Sequence, residues 1–355
     1  MPFAPLTLRA SRRIPAVQAI TCAWRELTGG TGRGQDPARR TLIACSGGGD
    51  SCGLGLALAA ASSSPALVLA HVVHDLRPRH ETHADRDFVA ALAARLGVPF
   101  MERSVAVRAQ PGNAEAQARR LRYRALADMA REAACPFVAT AHHAQDQLET
   151  LLMGVLRGAG PRGLSGIAPQ RPLGRVPGIM LIRPALAVSR TDLQLICSSC
   201  GVTWREDPTN RDESRVRAAL RHRILPELEK IRAGTAARAA RSQSLLRDAA
   251  DVVENQVSEV FSLAESACAP EGSPEFSWPR DRLRSLPAIV VGGLLRSAAA
   301  RLTGGRGVDR LGSGRLAAAI RAVRSDSGEP RSFELSAVQI VVHAHVVTVK
   351  GKARA

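Results

Sequence analysis

Lysine is almost missing from this chain. Only Lys230, Lys350 and Lys352 occur, so arginine supplies 46 of the 49 basic residues. That imbalance is what a genome favouring Arg codons produces, and it carries no functional message. The net charge of +17 over 355 residues is a separate matter. It points to a polyanionic partner, most simply nucleic acid. Long hydrophobic runs are missing too: none approaches the roughly 20 apolar residues needed to cross a bilayer, which excludes an integral membrane protein. The seven cysteines are odd in number and lie mostly in apolar runs. They exclude a disulfide framework and fit buried thiols in a reducing compartment. The basic N-terminus, with Arg9, Arg12 and Arg13, lacks the apolar core and small-residue cleavage site of a secretory signal. A cytoplasmic protein is expected.

With 45% hydrophobic residues the chain can bury a core, and its length suggests two domains. Ile14 to Leu27 reads as a short amphipathic helix within an N-terminal extension, 1–39. Four buried strands follow, at Thr41–Cys45, Ala66–Val73, Pro99–Val107 and Pro136–Ala141. They alternate with helices to Ala61, over Glu81–Leu96, over Asn113–Ala134 (capped by Asn113) and over Ala144–Arg157. That alternation predicts an α/β fold with a doubly wound, mostly parallel sheet. Gly and Pro are dense from Gly158 to Pro184 and predict loops. Ser189–Cys200 reads as a helix, and Trp204–Asn210 as a turn-rich connection. From Ser214 the chain reads as helix with a break near Pro226. Pro270–Pro279 reads as a linker, and two further helices lead to a strand pair, Phe333–Val342 and Val346–Lys350. The expected division is a catalytic domain over 40–227 and a smaller, mostly helical accessory domain over 228–355.

The strongest single signal is Ser46-Gly47-Gly48-Gly49-Asp50-Ser51, between a strand and a helix. Glycines there allow positive φ and close ligand approach. Free N–H groups at the helix start make an anion nest, and the two serine hydroxyls add donors. Asp50 would repel a phosphate but suits a Mg²⁺ ion bound to one. The lysine of GxxxxGK[ST] and the dinucleotide fingerprint GxGxxG are both absent. The complete loop resembles the pyrophosphate loop (PP-loop) of the ATP pyrophosphatases, an adenine nucleotide alpha hydrolase-like fold. These enzymes split ATP to AMP and pyrophosphate while adenylating a substrate.

Further segments narrow the resemblance. His71-Val-Val-His74-Asp-Leu-Arg77 ends the second strand. Asn113-Ala-Glu115, Ala118-Arg119 and Arg122-Tyr123 lie on the following long helix. His142-His143-Ala-Gln-Asp146-Gln147-Leu-Glu149 opens the helix after the fourth strand and runs on to Arg157-Gly158-Ala-Gly160. Arg183-Pro184, Ser189-Arg190, Trp204-Arg-Glu-Asp207-Pro-Thr-Asn210 and Arg217 with Arg221-His222-Arg223 complete the series. In this order and spacing, over about residues 40–227, the chain resembles the tRNA(Ile)-lysidine synthetases. The resemblance implies ATP-dependent joining of free L-lysine, through its ε-amine, to C2 of the wobble cytidine of the CAU-anticodon isoleucine tRNA, by way of an adenylated tRNA. It leaves a homodimer open.

The roles that follow from the resemblance fall on named residues. Asp146 and Glu149, three apart at a helix start, would hold the cationic lysine and help deprotonate it. His142 or His143, at a strand end, would contact phosphate or the adenylated base. Arg119 would stabilise the adenylate or bind the lysine carboxylate. Ser46 to Ser51 would bind ATP, and Asp50 the Mg²⁺. Arg217, Arg221 and Arg223 would grip tRNA, as part of a segment, 215–247, with nine basic residues against two acidic ones. Outside such a setting an Asp-x-x-Glu pair is ordinarily a solvated helix face, and a basic run an amphipathic surface. The chain departs from the family pattern at Val73, Asp75, Gln145 and Ala218, which bears on adenosine contact and tRNA docking. The accessory part reads as a short form with one domain. Two alternatives remain: a PP-loop tRNA thiolase, suggested by Cys197-Ser-Ser-Cys200, and a catalytically inactive tRNA-binding relative.

Overall fold

The computed structural model describes residues 8, 10–29, 37–61, 67–174, 177–205, 216–265, 275–305, 311, 313–335 and 338–351. The expected connection over 206–210, the helix start at Ser214, Arg215 and the first part of the 270–279 linker lie outside them. Two compact units emerge: residues 1–154 with 166–243, and residues 155–165 with 244–355.

The first unit is built on six strands: β1 (Thr41–Ala44), β2 (Leu67–His74), β3 (Phe100–Val105), β4 (Phe137–Ala139), β5 (Gln170–Pro172) and β6 (Met180–Ile182). Their order is β3-β2-β1-β4-β6-β5. All pairings are parallel except β5 with β6. The doubly wound expectation therefore holds, with two strands beyond the four that the sequence suggests. Alternate residues of the central strands enter opposite cores. Ile43, Leu67 and Leu69 join one, and Leu42, Val68 and Ala70 the other.

The first core is covered by α1 (Pro15–Leu27), α2 (Gly49–Ala61), α3 (Arg79–Leu96) and a helix over Arg190–Ser199. The second is covered by α4 (Ala114–Glu132), for which the Asn113 side chain accepts the Glu115 and Ala116 amides. α1 is more than an appendage. Val17, Ile20 and Trp24 are buried in the main core, and the Trp24 indole donates to Thr41 on β1. α5 (Ala144–Leu156) follows β4, and α6 (Pro161–Leu164) is a single turn. α7 is the helix over Arg190–Ser199, started by a capping box in which Ser189 and Asp192 satisfy each other's amides.

Further along come α8 (Val216–Ala219), a π-helical turn over Leu220–Ile224, and α9 (Leu225–Ile231). The expected break at Pro226 is not there. Pro226 lies in the first turn of α9, where its missing N–H costs nothing, and the chain breaks at Arg232 instead. Leu220, Leu225 and Leu228 pack with Ala144 and Leu148 of α5. A 31-residue helix, α10 (Thr235–Glu265), continues from there.

The second unit contains α11 (Arg280–Arg284), α12 (Ala288–Thr303), α13 (Ser313–Arg324) and four antiparallel strands. These are β7 (Glu275–Pro279), β8 (Arg331–Leu335), β9 (Val338–Val342) and β10 (Val346–Gly351), in the order β7-β10-β9-β8. The linker expectation gives way at Glu275, because Phe276 and Trp278 pack on Phe261 while the backbone pairs with β10. Arg280 is the unit's buried cation, 3% exposed. It donates to the carbonyls of Ala322, Val323, Ser325, Ser327 and His343, at 2.7–3.2 Å.

Candidate functional site

The strand order reverses between β1 and β4, so the turns leaving those two strands flank one crevice at the carboxyl edge of the sheet, the usual ligand position in such folds. From β1 comes the glycine loop. Gly47 has φ +89°, which only glycine adopts without strain. Its carbonyl accepts the Arg205 amide, at 3.0 Å. The Ser51 hydroxyl accepts the Ser46 amide (3.1 Å) and donates to Gly48 O (3.0 Å); it also lies 3.2 Å from the Ser46 hydroxyl. A Cβ on Gly49 would lie 3.2 Å from the Trp204 ring. A Cβ on Gly53 would lie 2.4 Å from Leu193 O, because α2 and α7 touch backbone to backbone there. Thus Ser46 to Ser51 form one cradle at the start of α2, backed by α7.

From β4 comes His143. Its Nε2 is 3.6 Å from Asp50 Oδ2 and 3.6 Å from Asp146 Oδ2, so it joins the loop to the carboxylate pair. Burial works against its protonation, yet the bond to Asp50 and the charge of Asp146 leave its pKa above the ordinary value. His142 turns the other way. Its Nδ1 is 2.9 Å from Thr140 Oγ1, and burial pushes its pKa down to about 3. Of the two histidines, His143 is therefore the one that meets Asp50, and sequence alone does not separate them.

Asp146 and Glu149 are both buried, Glu149 completely. Arg221 donates to Glu149 Oε1 at 2.6 Å and to Asp146 Oδ1 at 3.0 Å. Arg217 donates to Glu149 Oε2 at 2.8 Å and lies 3.5 Å from Asp146 Oδ1. Two of the three residues expected to grip tRNA are thus in the same cluster as the two expected to hold lysine. Arg223 is exposed and stands outside that cluster. Burial opposes ionisation of Asp146, but the neighbouring histidines and Arg221 hold its pKa below the ordinary range. Arg119 is not in the cluster either; its guanidinium stacks on Tyr123, 5.1 Å from the ring centre.

Residues to which motif reading gives no catalytic role complete the setting. Arg190 Nε lies 3.5 Å from Asp50 Oδ1. Gln145 accepts the Arg190 amide at 3.0 Å, which fixes the start of α7. Asp75 accepts the amides of Val107 (2.7 Å) and Arg108 (3.3 Å), tying the ends of β2 and β3 together. Val73 is core. Asp50 Oδ1 is buried and has no hydrogen-bond partner. An anionic oxygen in that position fits a hard divalent cation, so the donor chemistry suits Mg²⁺. Cys197 donates to Gly49 O at 3.4 Å, and Cys200 is buried in the same core. Among the described residues, no three His, Cys, Asp or Glu side chains converge as metal ligands, and no helix is long and apolar enough to cross a membrane.

A family model described as a PP-loop domain matches residues 24–228. A tRNA(Ile)-lysidine synthase of Bordetella bronchiseptica is 37% identical over 255 residues, covering 69% of this chain and 72% of that protein. One from Geobacter sulfurreducens is 35% identical over 230 residues, covering 63% of this chain and 48% of that protein. Among solved structures, a U34-tRNA thiolase from Methanococcus maripaludis superposes with a TM-score of 0.51 at 16% identity, covering 65% of this chain and 80% of that one, which establishes a common fold.

Proposed function

The chain belongs to the tRNA(Ile)-lysidine synthase family of PP-loop proteins, and we propose that it carries out that family's reaction on its own substrates. In this reading it uses ATP to adenylate C2 of the wobble cytidine in the CAU-anticodon isoleucine tRNA, and then transfers free L-lysine to that carbon. The observation that carries the reading is the contact of His143 with both Asp50 and Asp146. It joins a phosphate cradle to a carboxylate pair across one crevice, which a reaction spending ATP on an amine substrate requires.

Each residue then has a task. Loop amides and the Ser46 and Ser51 hydroxyls bind the ATP phosphates, helped by the positive end of α2. Asp50 would hold Mg²⁺, which would neutralise phosphate charge. His143, 3.6 Å from Asp50, keeps that carboxylate aimed at the cradle. Asp146 and Glu149 bind the lysine ammonium, and their low-dielectric setting favours proton removal before attack. Arg217 and Arg221 must yield these carboxylates to the incoming ammonium and are then available to RNA phosphates, with Arg223 beside them. Arg119 would offset charge on the adenylate, and His142, neutral where it is buried, would hydrogen-bond the base or phosphate. The accessory part, 228–355, would add tRNA contacts, and the setting would be cytoplasmic.

The relatives favour this reading over tRNA thiolation. The decisive measurement is transfer of labelled lysine to the CAU-anticodon isoleucine tRNA with ATP and Mg²⁺. Label in the tRNA, with release of AMP and pyrophosphate, is expected. Sulfur incorporation without lysine transfer would overturn the reading, as would tRNA binding without pyrophosphate release.

A further inference from the structure

Beside the crevice, on the His142 side, four arginines converge. The guanidiniums of Arg119, Arg122 and Arg171 lie 5.1, 5.8 and 5.1 Å from the ring centre of Tyr123. Arg183, at the end of β6, is 4% exposed and its Nε has no hydrogen-bond partner. Among the described residues none of the four meets a carboxylate. The Arg171 and Arg183 side chains donate to the carbonyls of Pro172 (2.9 Å) and Ala168 (2.5 Å), and Arg183 also meets the Tyr123 side chain. Elsewhere in this unit, arginines such as Arg77, Arg103, Arg217 and Arg221 are paired with acids. Four positive charges around one aromatic ring, one of them buried, cost free energy unless an anion offsets them.

We propose that Arg119, Arg122, Arg171 and Arg183 form, with Tyr123, a subsite for the RNA strand next to the modified nucleotide, holding a phosphodiester while a base stacks on the exposed guanidinium planes. This rests on the reading of the protein as a tRNA-modifying enzyme. The oxyanion could also come from ATP or from the lysine carboxylate, but the loop serves the one and a single arginine, Arg119, would serve the other. The glycine loop supplies amides for the triphosphate on the His143 side. A single carboxylate needs one guanidinium, not four. A sugar–phosphate strand with an unstacked base uses several cations and a flat π surface together. The site also continues from His142, so an RNA strand lying there would present its neighbouring nucleotide to the crevice.

The test uses the full chain with Arg122→Gln and Arg171→Gln combined, leaving Arg119 and the buried Arg183 in place. The probes are a fluorescein-labelled anticodon stem-loop RNA, a fluorescent ATP analogue, and lysine in the transfer assay. RNA affinity should fall roughly tenfold or more, and the slope of log affinity against log salt should shrink by about two, one for each cation removed. Binding of the ATP analogue should not change. Combined Arg122→Lys and Arg171→Lys should keep the salt slope but lose affinity with the flat surface, and it carries the test if the Gln variant does not fold. An unchanged RNA affinity and slope overturns the proposal. Weaker binding of the ATP analogue alone, or a raised KM for lysine alone, assigns the cluster to those anions and also overturns it. If the RNA result holds but wild-type protein transfers no lysine, the subsite stands and the proposed reaction fails.

Discussion

Arg221 donates to Glu149 across 72 positions of sequence, at 2.6 Å, onto a carboxylate with no exposure to water. Replacing Glu149 therefore changes both the resting cluster and the lysine site. Glu149→Gln should raise the KM for lysine roughly tenfold or more, the worth of one charge-assisted hydrogen bond. Stability should fall by about 1–3 kcal/mol, less than for a fully buried pair, since the arginine side chains reach solvent. Lysine-transfer kinetics and urea denaturation measure the two effects.

Asp50→Asn removes the anionic oxygen that lies unbonded beside the loop. Pyrophosphate release in the presence of tRNA should be lost, while RNA affinity stays near that of wild type. Loss of RNA binding as well would contradict a role confined to the phosphate cradle.

Two glycines of α2 give opposite predictions. Gly53→Ala places a methyl 2.4 Å from Leu193 O and must push α7 away. It should cost roughly 1–3 kcal/mol and lower Tm. Gly55→Ala meets only Leu69 Cδ1 at 3.6 Å, an ordinary contact. That substitution should stabilise by about 0.5–1 kcal/mol through helix propensity. Thermal melts of both variants check the sign of each.

His142 gives the pH dependence. Burial pushes its pKa down to about 3, against an ordinary 6.5. Between these values the unfolded chain takes up a proton that the folded chain refuses. The stabilisation is therefore complete above about pH 6.5 and is lost as pH falls. From pH 7 to pH 5 it should shrink by at most about 2 kcal/mol. His142→Gln should show a shallower acid limb in denaturant titrations than wild type. His143, whose pKa is raised, works in the opposite direction in both proteins and leaves the comparison intact.

Much of the catalytic unit was legible because its signals are local. The strand–glycine loop–helix of residues 41–61, the Asn113 cap and the Ser189–Asp192 box are each read within a few residues. β5 and β6 were hidden because three-residue strands amid Gly and Pro have no period to detect. β7 was hidden because its pairing partner, β10, lies about 70 residues away. The meeting of Arg217 and Arg221 with Asp146 and Glu149 was hidden for the same reason. Charge runs suggest solvent or RNA, and only the packing of Leu220 and Leu225 on α5 turns that face inward.

Arg280 has a different consequence. Its neutralising partners are peptide carbonyls and the Ser325 hydroxyl, including those at the negative end of α13, and none of them titrates in acid. In the first unit, Arg205 and Arg221 are offset instead by carboxylates, those of Asp85, Asp146 and Glu149. Acid can therefore strip the partners from Arg221 but not from Arg280, a cation that needs no counter-ion.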